Sequence, residues 1–119
     1  MINIEIDYCP PTLNYILRMN YFQRMRLKKN ILQMLDRTIK NKPKIPYEKF
    51  TVCVTRLGRR ELDFDNAVSS YKMIIDCLIE LNVIEGDEYR RTGSWIFTQK
   101  KIKRNETEKS IITLIETES

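Results

Sequence analysis

Asp63, Asp65, Lys72 and Asp87 are the side chains whose types and order suit chemistry on an anionic substrate. Asp63 and Asp65 stand two residues apart, where a strand pattern ends and a helix pattern is about to begin. In an extended segment residues i and i+2 face the same side, so the pair is expected to converge on one point. Two carboxylates held that close repel each other unless a cation lies between them. Their hard oxygens suit Mg²⁺, with Mn²⁺ as an alternative. The chain has no histidine and no Cys-x-x-Cys, which removes zinc fingers, Ser-His-Asp hydrolysis and Cys-His catalysis. Chemistry here has to come from carboxylates, lysines and hard metal ions.

The same residues admit a plainer reading. Asp-x-Asp-Asn before a helix is good capping chemistry, and the acids favour the positive helix end. Lys72 stands four residues before Asp76, an ion-pair spacing worth only about a few tenths of a kcal/mol. Asp87 is the demanding member of the set. A helix over 67–81 is about 22 Å long at 1.5 Å per residue. Asp87 joins the pair only if the loop after that helix doubles back, or if a second subunit supplies it.

The elements that position these residues follow from periodicity. Ile2, Ile4 and Ile6 alternate with Asn3, Glu5 and Asp7, giving a half-buried first strand. Pro10 and Pro11 stop it, since proline donates nothing to a ladder. Thr12 then caps a long helix running to about Lys40, with Tyr21, Met25, Leu32, Leu35 and Ile39 on its apolar side. Its early part, with Asn14 and Asn20, suits a loop or a broken turn. Tyr47 to Arg56 reads as the clearest strand, with Phe50, Val52 and Val54 on one side. The second helix is expected over 67–81, capped by Asp65 or Asn66 and ending near Asn82. Its core stripe is Ala67, Tyr71, Ile74, Leu78 and Leu81. A strand from Ser94 to Arg104 is expected to turn at 105–108 and pair with a returning strand, 110–116. The order β-α-β-α-β-β predicts a single α+β domain over 1–119, a mixed four-stranded sheet packed with two main helices.

The 119 residues carry a net charge of +5, with 31% charged and 42% hydrophobic residues, a composition that suits a folded domain and argues against disorder. Positive charge is gathered in two stretches. Arg18, Arg24, Arg26, Lys28, Lys29, Arg37 and Lys40 stand against a single acid, Asp36. Arg90, Arg91, Lys100, Lys101, Lys103 and Arg104 stand against none between Tyr89 and Asn105. Acids gather between them, from Glu61 to Glu88. A basic frame round an acidic centre fits action on nucleic acid; the alternative is a lysine-rich solvated surface. Cys9, Cys53 and Cys77 are far apart and odd in number, and read as free thiols in a reducing compartment. No apolar run approaches the ~20 residues of a membrane span, and the start of the chain alternates like a strand rather than a signal peptide. The expected location is the cytoplasm.

Taken together, Arg59-Arg60-x-x-Asp63-x-Asp65-Asn66, then Lys72, Asp76 and Leu78, then Val83-Ile84-x-x-Asp87, resemble the RusA-type Holliday junction resolvases. These are small endodeoxyribonucleases of bacteria and prophages. Pro10-Pro11-Thr12-Leu13-Asn14 resembles that family's Pro-Pro-Ser-x-Asn opening, so the likeness runs from about Pro10 to Glu88. The resemblance implies a homodimer that binds four-way DNA junctions and nicks two opposed strands with Mg²⁺. By position, Asp63, Asp65 and Asp87 would be the metal-binding carboxylates and Lys72 the catalytic lysine. Lys72 sits about three residues later than in the best-known members. Gly86-Asp87-Glu88 stands where Asp-Asp is common, which leaves Glu88 as a substitute ligand. Arg18, Arg24, Arg26, Lys28, Lys29, Arg59, Arg60, Arg90, Arg91, Lys100 and Lys101 would hold the DNA, with no membrane and no small-molecule cofactor involved. Two other readings stand beside it: a basic DNA-binding protein without catalysis, whose aspartates only cap, and an interaction module that binds a protein partner.

Overall fold

Alternation decides the strands. In this computed structural model, which describes residues 1–86 and 92–117, β1 (Ile2–Ile6) buries its isoleucines and exposes the residues between them. β2 (Phe50–Gly58) keeps the same rhythm over nine residues, with Phe50, Val52 and Val54 inward. The inward row then continues through Arg56 to Gly58. β3 (Thr92–Lys101) and β4 (Lys109–Glu116) complete one mixed sheet in the order β1-β4-β2-β3. β4 runs antiparallel to both β1 and β2, while β3 lies parallel to β2 at the edge.

The expected pairing of the last two strands is not formed. β4 inserts between β1 and β2, and β3 pairs with β2 alone. Composition accounts for the choice. β4 carries Ser110, Ile112 and Leu114 inward, with Ile111 and Thr113 half-buried between them. β3 ends in the polar Gln99 and the charged Lys100 and Lys101, side chains that an edge strand tolerates and a central strand does not.

Both expected helices are broken. Thr12 caps α1 (Leu13–Arg18), its side chain accepting the Tyr15 N–H at 3.3 Å. The chain leaves helical geometry at Met19 and Asn20, then restarts as α2 (Tyr21–Thr38). Asn20 and Gln23 form a reciprocal capping box there, at 2.9 and 3.0 Å, which stabilises the restart. α2 is packed from Leu27 onward: Leu27 is half-buried against the core and Ile31 and Leu35 are buried, while Tyr21 and Met25 of the expected stripe are exposed.

The second helix starts earlier than expected, at Phe64, and is interrupted. α3 (Phe64–Ser69) and α4 (Lys72–Glu80) meet at Ser70 and Tyr71. Ser70 turns its hydroxyl back onto the Ala67 carbonyl at 2.6 Å, a bond that competes with the helix ladder. Of the expected stripe, Ala67, Tyr71, Ile74 and Leu78 are nevertheless wholly buried, while Leu81 is half-buried. Asn82 ends the run in the left-handed region (φ 58), with Val83 N–H reaching back to the Leu78 carbonyl at 3.0 Å. The core lies between the sheet and α2 with α4. Each fully buried Leu or Ile in it contributes roughly 1.5–3 kcal/mol.

The three cysteines are free thiols. No helix among the described residues is long and apolar enough to cross a membrane.

Candidate active site

The segment carrying the aspartates is tied down at several points. After β2, Arg59 donates its backbone N–H to Glu108 at 3.0 Å and its guanidinium to the Glu106 carbonyl at 3.1 and 2.8 Å. The turn is thereby fastened to the connection between β3 and β4. Leu62 is held by Gln99 of β3, and Phe64 sets its ring edge-on to Phe97, centroids 6.4 Å apart. Asp63 lies between these two anchors.

Asp63, rather than Asp65 or Asn66, occupies the N-cap of α3, and its side chain makes no capping hydrogen bond. Asp65 falls in the first helical turn. Helical backbone from Phe64 onward removes the strand alternation on which convergence was argued. Residues two apart on a helix point roughly 200° apart, so any shared focus depends on the extended geometry of Asp63. Both side chains are exposed, and neither has a hydrogen-bond or ion-pair partner among the described residues.

Lys72 opens α4 because of the break, instead of sitting two turns inside a helix. Its Nζ lies 2.8 Å from Asp76, the ion pair anticipated from spacing. It also lines an apolar pocket of about 360 Å³ with Leu13, Val68 and the Trp95 ring.

Asp87 lies outside the described residues, as do Glu88, Arg90 and Arg91. The described residues on either side of that segment are Gly86 and Thr92. Thr92 pairs with Phe50, at the start of β2, whereas Asp63 follows the end of that strand. From Thr92 to Phe97, against which Phe64 packs, β3 rises about 17 Å. Among the described residues no group of three or more His, Cys, Asp or Glu side chains could hold a metal ion. The two exposed aspartates are hard oxygen donors of the kind that such a cation takes.

The basic residues divide by engagement. Arg18, Arg24, Arg26 and Lys29 are exposed along α1 and α2. Lys28 instead binds Glu80 at 2.5 Å, tying α2 to α4, and that hydrogen bond raises its pKa. Arg59 uses its guanidinium on a carbonyl, while Arg60, Lys100 and Lys101 are exposed. Arg59, Lys101, Lys103 and Arg104 surround one open pocket.

Arg56 escaped the sequence reading. It is 5% exposed, with its Nη1 donating to the Arg60 carbonyl at 2.7 Å. The signal was present: position 56 continues the inward row Phe50, Val52, Val54, where a charge is out of place. Burial pushes the neighbouring Cys9 thiol up, and the positive Arg56 partly opposes that.

Neither the protein-family models nor the curated proteins compared with this chain give a match.

Proposed function

We propose that this protein is a Mg²⁺-dependent endonuclease of the RusA type that cuts four-way DNA junctions as a homodimer. The observation that carries the reading is the state of Asp63 and Asp65: two exposed carboxylates without a hydrogen-bond or ion-pair partner among the described residues, Asp63 being anchored through both of its neighbours. The capping role that competes for Asp63 is thus unused by its side chain.

Asp63 and Asp65 would hold the ion with Asp87, or with Glu88 in its place, from the same or a second subunit. A bound Mg²⁺ polarises a phosphodiester and lowers the pKa of a water. Lys72, at the start of α4, turns a flexible ammonium toward phosphate charge, exchanging Asp76 for substrate. Arg18, Arg24, Arg26, Lys29 and Arg60, with Lys100 and Lys101, hold the DNA arms through phosphate. A second copy of the chain suits the exposed apolar side chains Leu17, Tyr21, Phe22 and Met25, each more than half exposed.

One observation favours a second reading, a basic DNA-binding protein without catalysis: the flanks of Asp87 stand at the far end of β2 from Asp63. Labelled four-way junction and linear duplex, each with Mg²⁺ or EDTA, separate the two. The nuclease reading expects paired nicks in the junction alone, abolished by EDTA and by Asp65→Asn while binding survives. Binding without any nicks supports the second reading, and nicks indifferent to EDTA refute the metal.

A further inference from the structure

We propose that the pocket around Arg56 is a phosphate-binding site, taking a phosphoryl group from a nucleic-acid backbone or from a free phosphate ion. It stands apart from the nuclease reading, since it needs neither metal nor the aspartates.

Arg56 sits where the pattern of β2 demands an apolar side chain, and it is all but wholly buried. Its Nη1 has the Arg60 carbonyl, but its Nε is sealed from solvent and has no acceptor. No ion pair of the described residues includes it. A guanidinium taken out of water without an anion is strongly disfavoured, and an apolar residue of similar size would suit the position better. The strand end is nonetheless built round it: any side chain at Gly58 would collide with the guanidinium.

The surroundings supply the remaining recognition. Arg56, Arg59 and Arg60 line one pocket of about 420 Å³, floored by Pro10, Pro11 and Thr12. Three arginines line this opening, Arg59 with its guanidinium already on the Glu106 carbonyl, and their summed charge suits a phosphate better than a single carboxylate, while the planar fork of arginine fits its oxygens. Thr12 accepts the Tyr15 N–H and keeps its own hydroxyl proton to donate. Glu108 is the one acid in the lining, and its Oε2 is occupied by the Arg59 N–H at 3.0 Å. The volume admits a phosphate with an attached sugar as well as the bare ion.

The test follows the thermal midpoint of the full chain in sodium phosphate, sodium acetate and sodium chloride at matched ionic strength. Phosphate is expected to raise it by several degrees over both others, and Arg56→Met to remove that increment. Equal midpoints in phosphate and chloride, or an increment that survives Arg56→Met, would overturn the proposal. Should Arg56→Met not fold, Arg60→Gln decides at an exposed side chain: a reduced increment supports the site and an unchanged one refutes it. Anisotropy with a labelled duplex assigns the source. If backbone phosphate is the occupant, Arg56→Met weakens DNA binding by about ten-fold and lowers the salt slope by about one. Unchanged DNA affinity with the phosphate increment intact in the parent protein supports the free ion. Absence of junction cutting leaves these readouts untouched.

Discussion

Gln99 grips the Leu62 peptide from both sides, its Oε1 accepting the Leu62 N–H at 3.2 Å and its Nε2 donating to the Leu62 carbonyl at 2.6 Å. The residue before Asp63 is thereby fixed to β3 through a side chain rather than through the sheet. Gln99→Leu leaves both backbone groups to find water, at a cost of about 1 kcal/mol in a half-buried place. The Leu62 amide should then exchange faster with solvent, and junction cutting should fall about ten-fold or more as the carboxylate loses its placement. Unchanged exchange at Leu62 would show that the clamp positions nothing.

Asp63→Ala separates catalysis from capping. Removing a working N-cap costs about 0.5–2 kcal/mol. The Asp63 side chain makes no such bond, so urea unfolding should show a change below about 0.5 kcal/mol. A loss above 1 kcal/mol would return this residue to a capping role.

Tyr71 tests the core beneath the site. Ser110 Oγ donates to the Tyr8 carbonyl at 2.5 Å, so at 2.8 Å it accepts the proton of the buried Tyr71 hydroxyl. Tyr71→Phe keeps the ring against Phe97 (centroids 5.7 Å) and removes only that donor. The expected cost is about 1 kcal/mol, and an unaltered denaturation midpoint would show that this bond adds nothing to stability.

Cys77 gives the stability curve an alkaline limb. Burial pushes its thiol from 9.0 up to about 11, with the nearby Lys28 charge opposing the shift. A pKa raised in the folded state means that the folded thiol keeps its proton when the unfolded one has lost it. Stability is therefore full below pH 9.0 and declines as pH rises toward about 11. The thermal midpoint should fall across that window, and Cys77→Ala should flatten the fall while lowering the starting value. An equally steep decline in the variant would remove Cys77 as its source.

Local signals in the sequence were read correctly where they act locally. The alternation of Ile2, Ile4 and Ile6 and the hydroxyl of Thr12 both depend on neighbours a few residues away, and both appear as anticipated. Asn20, one of the residues that suit a broken turn in the early part of the first helix, forms with Gln23 the capping box that restarts α2. The break at Ser70 had no proline or glycine to announce it. The stripe Ala67, Tyr71, Ile74, Leu78 is continuous because packing, not ladder continuity, sets which residues face inward.

Long-range choices were less legible. The turn after Arg104 suggested a hairpin because sequence neighbours usually pair. The pairing places the more apolar strand between two others and the charged one at the edge. Asp63 and Asp65 are legible as a pair, but their geometry depends on where the helix begins, a boundary flanked by the Leu62–Gln99 clamp and by Phe64 on Phe97. Arg56 went unread since charge in an inward row has meaning only once the row is known to be inward.

Titration of Mn²⁺ into isotope-labelled protein, followed by amide line widths, tests the metal claim most directly. One ion shared by the three acids predicts that the amides of Asp63, Asp65 and Asp87 broaden together at low Mn²⁺, whichever subunit supplies the third, and recover with EDTA. Broadening at Asp63 and Asp65 with Asp87 left sharp, or no selective broadening at all, would contradict it.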